Sequence, residues 1–577
     1  MAFSISPAVT VSEVDLTTVV PSVLTTAGAF AGYFIWGPVN TPILVDSQVT
    51  LATRFNGSAQ NGPDSNSAVS FFTAANFLAY GNNLQVVRAV GPNANNASAN
   101  STASGVQIQN SSAFQYSYLM NTTNANTFGP FVARYPGALG NSLAVGVCSN
   151  TSIYSSWSYS NYFTSAPSTS TYTTNHGGSA DEMHIVVVDA GGLFTGTKGT
   201  VLETFPFVSK AVDALNNDGS SNFYKQVIYN KSKYVYAMDP PEYSTTSSTW
   251  GQKSSTTFAP LVNNEYITLS NGADDIGSDA TTETAWSQFI NKENINISLV
   301  ITGAASTAVQ QYVIDNIATA RADCVAFISP PQSAVVNQAG SEMSNITTWL
   351  TSLGRSSSYV VADCGWKYQF DQYNNVYRWI PLNADIAGLC VFTDTVANPW
   401  YSPAGFTRGA IKNCIKLAWN PTKTYRDTLY AAGVNPVVTF PGQGTVLFGD
   451  KTLQAKPSAF DRINVRRLFL VLEKTISTAA QYSLFEINDN FTQTQFINLV
   501  TPYLRTVQGL RGITAFKVVC DSTNNTPAIV DANQFVGDIY VKPARSTNFI
   551  QLNFVAVGTG VDFNTVVGAG TTAGVTQ

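Results

Sequence analysis

Charge is what this chain has least of. Only 11% of its 577 residues are Asp, Glu, Lys or Arg, against roughly 25% in an ordinary soluble protein. Ser, Thr, Asn, Gln and Tyr fill the deficit. A monomer in water keeps a charged surface, so this composition fits a chain covered by other subunits or one lying outside a cell. Histidine is nearly missing too, at His176 and His184. Their spacing matches no helical metal pair, and neither has the partner residues that a metal or acid–base site needs. Six cysteines, at 148, 324, 364, 390, 414 and 520, stand apart with no CxxC pair. That excludes zinc spacing and a disulfide scaffold and leaves buried free thiols as the expectation. The longest apolar stretch, "AGAFAGYFIWGPV" (27–39), is broken by glycine and falls short of the ~18–20 residues of a membrane span. No basic and then apolar leader opens the sequence, so no secretory signal is expected.

Motifs for chemistry are equally scarce. "VVVDAGGLFTGTKGTV" (186–201) has Gly191 and Gly196 at phosphate-loop spacing, but Thr197 separates Gly196 from Lys198 and takes the lysine off the phosphates. A glycine-rich turn is the expectation. "PGQGTVLFGD" (441–450) has too few glycines at the right offsets for a dinucleotide site. There is no GxSxG, and no cysteine has a histidine close in sequence to activate it. Asp363, Asp371 and Asp385 share their stretch with Lys367 and Arg378, which points to ion pairs. No enzyme activity, cofactor or metal is expected; a hydrolase on an α/β domain is the enzymatic alternative.

What is present argues for several domains. A chain of this length exceeds one ordinary core. The net charge of −5 conceals an asymmetry: residues 401–577 hold 16 Lys and Arg against 10 Asp and Glu, and the remainder is acidic. A basic C-terminal part suits an anionic partner, but without an Arg/Lys run it does not suit nucleic acid. Residues 23–90 read as α/β, with strands at 27–39 and 84–91 around a helix at 67–81. Residues 91–299 hold three polar, turn-rich stretches separated by strand-like runs such as "EMHIVVVDA" (182–190), and read as an outer insertion. From 300 a βαβ rhythm implies a partly parallel sheet, so 23–90 plus 300–400 form a middle α/β domain. Residues 401–577 form a C-terminal domain. Its clearest helix, within 457–485, has Val465, Leu468, Phe469, Leu472, Ile476 and Ala479 on one stripe, with Arg462, Arg466, Arg467 and Lys474 opposite. Strands are expected at 535–543 and at 549–557, where Ile550, Leu552 and Phe554 share a face. At the other terminus "SPAVTVSEVDLTTVVPS" (6–22) alternates like a strand with no neighbour in sequence to pair with.

Several long blocks carry a resemblance. "GWKYQFDQYNNVYRWIPLNADIAGLCVFTDTVANPWYSPAGFTRG" (365–409), "INVRRLFLVLEKTISTAAQYSLFEIND" (463–489) and "FVGDIYVKPARSTNFIQLNFVAV" (535–557) closely resemble the tail sheath proteins of contractile-tailed bacteriophages, the T4-like group in particular. "ARYPGALGNSLAVGV" (133–147), "FTGTKGTVLETF" (194–205) and the opening "SPAVTVSEVDLT", where Ala8 replaces the family's glycine, are similar to sheath segments. The resemblance runs through nearly the whole chain and is weakest in the Ser/Thr-rich parts of 91–299. It implies an α+β multidomain fold with an inner C-terminal domain facing a tail tube, outer variable domains, and a central subtilisin-like domain without a catalytic triad. It also implies a helical homo-oligomer of stacked hexameric rings, metastable when extended, that contracts on infection. The implied partners are other copies, the tail tube protein, and the baseplate and tail terminator proteins, in a virion assembled in the bacterial cytoplasm. The N-terminal arm, with Val9, Val11 and Glu13, would add a strand beside a neighbour's Ile550, Leu552 and Phe554; edge strands invite such pairing. Arg462, Arg466, Arg467, Lys474 and, on a helix near 491–508, Arg505 are the tube-facing candidates. Contractile bacteriocins and type VI secretion sheaths share the mechanism, and a surface-layer or capsid-like coat shares the composition.

Overall fold

The computed structural model describes residues 23–551 apart from 103–104, 120–126, 242–248 and 549. The expectations for Val9, Val11, Glu13, Leu552 and Phe554 therefore fall outside the described residues.

The run "AGAFAGYFIWGPV" supplies strand Gly28–Tyr33, buried along its whole length. A strand covered on both faces reads as a continuous apolar run, without alternation. Leu84–Ala89 and Leu299–Ile301 flank it in parallel, and Gly28 stands opposite both Leu84 and Leu299. From edge to edge the seven-stranded sheet runs Val434–Asn435, Val360–Asp363, Val325–Ile328, Leu299–Ile301, Gly28–Tyr33, Leu84–Ala89, Ile43–Val45. Only the last is antiparallel to its neighbour. From Gly28–Tyr33 the chain goes first to the far edge strand Ile43–Val45, returns to Leu84–Ala89, and then winds outward on the other side, so that the parallel strands alone have a flavodoxin-like order.

Helices seal both faces. Phe71 and Phe77 of Ala68–Leu78 and Leu389 of Asn383–Val396 pack in one core; Trp286 of Asp279–Ser287 and Val313 of Thr307–Val313 pack in the other. Gly28 is required here, because a Cβ would come 2.7 Å from the Phe77 ring. Two segments lie beyond the expected limits of this domain. The Asp279–Ser287 helix, expected in the insertion, packs on the sheet, and Val434–Asn435, expected in the C-terminal domain, is its edge strand.

The insertion has a core of its own. An antiparallel sheet runs Thr200–Ser209, Glu182–Asp189, Leu143–Cys148, Glu265–Thr268. Met183, Ile185 and Val187 face one cluster; Val186 and Val188 face another, closed by Trp157 and Phe163. The polar stretch 149–180, expected as exposed loop, is thus a cap. Its short 3₁₀ turns hold two aromatic side chains on the sheet's far face. Arg88, buried on the central sheet, ties the two bodies together by donating to the carbonyls of Phe34, Gly37 and Pro136 at 2.7–2.8 Å.

The third body is a helical hairpin, Ile463–Ala480 and Asn490–Gly509, packed on the antiparallel pair Ile513–Val519 and Asp538–Pro543. Leu468, Leu472 and Ile476 recur at four-residue spacing on the first helix and meet Phe496, Val500, Leu504 and Val507 of the second. Each such side chain, fully buried, is worth about 1.5–3 kcal/mol. Asp489 caps the second helix by accepting from the Thr492 amide at 2.9 Å. Residues 550 and 551 are in no regular element, and Ile550 is exposed.

Candidate inter-subunit surface

The sites that could have carried chemistry are closed by the chain itself. In the glycine-rich turn after Glu182–Asp189, the Asp189 carboxylate accepts from the amides of Phe194 and Thr195, the Thr195 hydroxyl and Ser142 Oγ at 2.6–2.9 Å. Those donors, which a phosphate would need, are spent on an internal anion. His184 is buried, takes a hydrogen bond from the Phe207 amide on Nδ1 and donates from Nε2 to the Ser165 carbonyl. Burial pushes its pKa down, so it is a neutral structural imidazole. At the C-terminal ends of the parallel strands, where ligands of α/β sheets usually bind, Asp363 accepts from Ser329 Oγ at 2.6 Å and the Gly365 amide at 2.9 Å. The start of the Asn383–Val396 helix covers them, with the Asn383 amide donating to Ser329 Oγ. Burial pushes the Asp363 carboxyl up to about 8. The expected ion pairs do form, Lys367–Asp385 at 2.8 Å and Arg378–Asp371 at 2.7 Å. Five of the six cysteines are buried, Cys414 is partly so, and all are free.

Most of the basic face of the Ile463–Ala480 helix is buried within the chain, because the helix is wedged between two cores: Leu468, Leu472 and Ile476 enter the hairpin core, while Ile463 and Leu470 enter the central one. Arg467 is buried and pairs with Asp394 at 2.6 Å. Arg466 is buried between the rings of Tyr359 and Phe460, 4.3 and 4.1 Å from their centroids. Lys474 donates to Asn296 Oδ1, the Ile297 carbonyl and Ser298 Oγ. Arg462 lies beside Asp450 and Asp461. Helical periodicity identified the apolar stripe but could not reveal a second buried face, since long cationic side chains cover apolar surface while reaching polar partners. Arg505 is exposed on the second helix.

What remains open is backbone. Among the described residues the Ile513–Val519 and Asp538–Pro543 pair forms a two-stranded sheet whose outer edges have no partner. Two strands alone are marginal in water, and an unpaired edge is a template for another chain. The segment leaving this sheet is held in place: Ser546 Oγ donates to Asp450 Oδ2 at 2.9 Å, and Asn548 Nδ2 to Asp450 Oδ1 and the Tyr430 hydroxyl at 2.9 and 2.8 Å.

Comparison with known proteins decides what kind of chain this is. It is 33% identical to the tail sheath protein of Vibrio phage KVP40, over 98% of this chain and all of that one. It is 31% identical to the tail sheath protein of Enterobacteria phage T4, over 98% and 99% of the two. This chain belongs to the phage tail sheath protein family. The model of the tail sheath central domain matches residues 278–453, and that of the tail sheath C-terminal domain residues 455–556. The first match begins where the Asp279–Ser287 helix returns to the central sheet, and the second takes in the hairpin and its open strand pair. A sheath tail protein from Listeria innocua has a similar fold, with a TM-score of 0.55 at 11% identity, covering 91% of this chain and 93% of that one. The sheath family is structural, and the fold is mixed α/β with several sheets. Among the described residues, no helix is long and apolar enough to cross a membrane.

Proposed function

We propose that this sheath protein polymerises with copies of itself into a hollow helical cylinder around a tail tube and drives the tube forward by passing from an extended to a contracted form. Membership of the family supports the sheath role; the observation that carries the assembly reading is the two-stranded C-terminal sheet, whose outer edges have no strand partner among the described residues. In this reading the N-terminal arm of one copy, through Val9, Val11 and Glu13, completes that sheet in another copy beside the segment holding Ile550, Leu552 and Phe554. About five backbone hydrogen bonds at ~0.5–1.5 kcal/mol each give a few kcal/mol per arm. Every copy gives one arm and receives one, so the lattice shears without separating. Contraction is a rigid-body rotation of subunits about these arms, driven by new contacts between charge-poor surfaces, with no catalytic step or cofactor.

The rings are hexameric in this reading, and the other partners are the tube, baseplate and tail terminator proteins of a virion assembled in the host cytoplasm. Of the basic residues considered for tube contact, Arg505 is the exposed one with no ion pair among the described residues, and its grip is modest and screened by salt. The parallel sheet covered on both faces is the unit we equate with the family's subtilisin-like central domain. Deleting residues 1–22 tests the arm. The expected result is a folded protein, with unchanged circular dichroism, that forms no tubes; tubes that assemble and contract without the arm would overturn it.

A further inference from the structure

The helical hairpin presents opposite shapes at its two ends. At the tip, where Ile463–Ala480 turns into Asn490–Gly509, a run of apolar side chains stands in solvent. Ile487 is 77% exposed and Phe485 106%, with Leu484 and Phe491 beside them. Phe485 has φ 69°, a left-handed conformation that a bulky residue rarely adopts and that here holds its ring clear of the protein. Between these residues the Glu486 carboxylate is exposed, and among the described residues it has no ion-pair partner. An apolar cluster around a charge is unusual on the surface of a monomer and marks a contact.

At the base, the first residues of one helix and the last of the other open onto a cleft of about 930 Å³, room for several side chains. Trp400, Tyr430 and Phe448 contribute its apolar wall, and Arg408, Arg426 and Arg511 its charge. None of the three arginines meets a carboxylate within 4 Å among the described residues, whereas Asp427 and Asp450 in the same cleft are paired with Lys423 and Arg462. The base is therefore apolar and cationic where the tip is apolar and anionic. With 18 and 20 residues in the two helices at 1.5 Å per residue, tip and base lie about 25–30 Å apart. A chain cannot fill its own cleft with its own tip.

We propose that the 482–491 tip of one copy docks in the Trp400–Arg426–Arg511 cleft of the next, with Phe485 and Ile487 against the aromatic wall and Glu486 facing the arginines. Two different patches meet, so the contact is head-to-tail; such contacts close into rings or continue as open helices. The inference rests on the reading of this chain as a self-assembling subunit, and it names a contact made by described side chains, separate from the strand exchange.

The test uses the full chain in four forms: unaltered, Glu486→Arg, Arg511→Glu, and both together. Tube yield is read by sedimentation and negative-stain microscopy, and folding by circular dichroism. Each single reversal is expected to lower the yield by about tenfold, the scale of one lost charge-assisted contact, and the double variant is expected to recover it. In a second measurement, Phe485→Cys with Thr514→Cys, at the tip and the cleft, is expected to cross-link copies into disulfide ladders upon assembly. Tubes from the unaltered chain with single variants equally productive, or with a folded double variant that does not recover, would overturn the docking while leaving the sheath reading standing. Absence of tubes from the unaltered chain would overturn both. A cleft filled by the chain's own residues beyond 548 would show as loss in Arg511→Glu without rescue or cross-link, which also counts against it.

Discussion

At the scale of single residues, several of this protein's few charged groups are internal fasteners. Asp189 organises a turn, Arg88 joins two bodies, and Arg467 and Lys474 pin a helix. Asp363 is a buried carboxyl with hydrogen-bond donors but no ion-pair partner among the described residues, and burial pushes it up to about 8. In the unfolded chain it titrates near the ordinary value of about 3.9. The folded state therefore keeps a proton that the unfolded chain gives up, and this contribution to stability is whole below about pH 4 and lost as the pH rises to about 8. Asp363→Asn is expected to flatten the fall in stability over that window by up to about 1.4 kcal/mol per pH unit, read from denaturant unfolding at a series of pH values. A slope unchanged by the substitution would mean that the carboxyl is ionised in the fold.

Among the elements, the Ile463–Ala480 helix carries the most structural consequence. It belongs to the hairpin by one face and to the central domain by the other. Its Arg467 clamps the Asn383–Val396 helix through Asp394, which also accepts from Thr25 Oγ1 at 2.6 Å. Breaking such a pair leaves a buried charge without compensation, a loss of about 3–5 kcal/mol. Asp394→Ala is expected to lower stability by that amount in chemical denaturation, and a loss below about 1 kcal/mol would show that the clamp is not holding the two bodies together. The apolar stripe of this helix was readable from its spacing, as were the buried strands at 28–33 and 84–89 and the helix at 68–78. The second buried face was not readable, because Arg466 and Lys474 look like solvent-facing residues until Tyr359, Phe460 and Ile297 are brought against them. Nor did spacing reveal that Trp157 and Phe163 turn a polar stretch into a cap. All of those contacts but that of Arg466 with Phe460 join residues far apart in sequence, and no local period encodes them.

For the whole molecule, the central sheet is a sealed scaffold and the insertion a separate body. The open strand pair, the exposed tip and the basic cleft all gather in the C-terminal part. The resemblance in the 463–489 and 535–557 blocks located that part, although the tip and the cleft had no signal beyond exposed apolar letters such as "SLFEIND". The charge-poor composition now has a physical use: subunits with few charges to desolvate can bury large surfaces against one another. The central claim is that copies of this chain join through their inner parts into a tube. Cryo-electron microscopy of the purified full-length protein tests it most directly. Hollow helical tubes are expected, with the 463–509 hairpin and the 513–543 strand pair on the inner wall and each strand pair extended by a strand from another copy. Dispersed monomers, flat arrays, or tubes whose inner wall is built from the 91–277 insertion would contradict it.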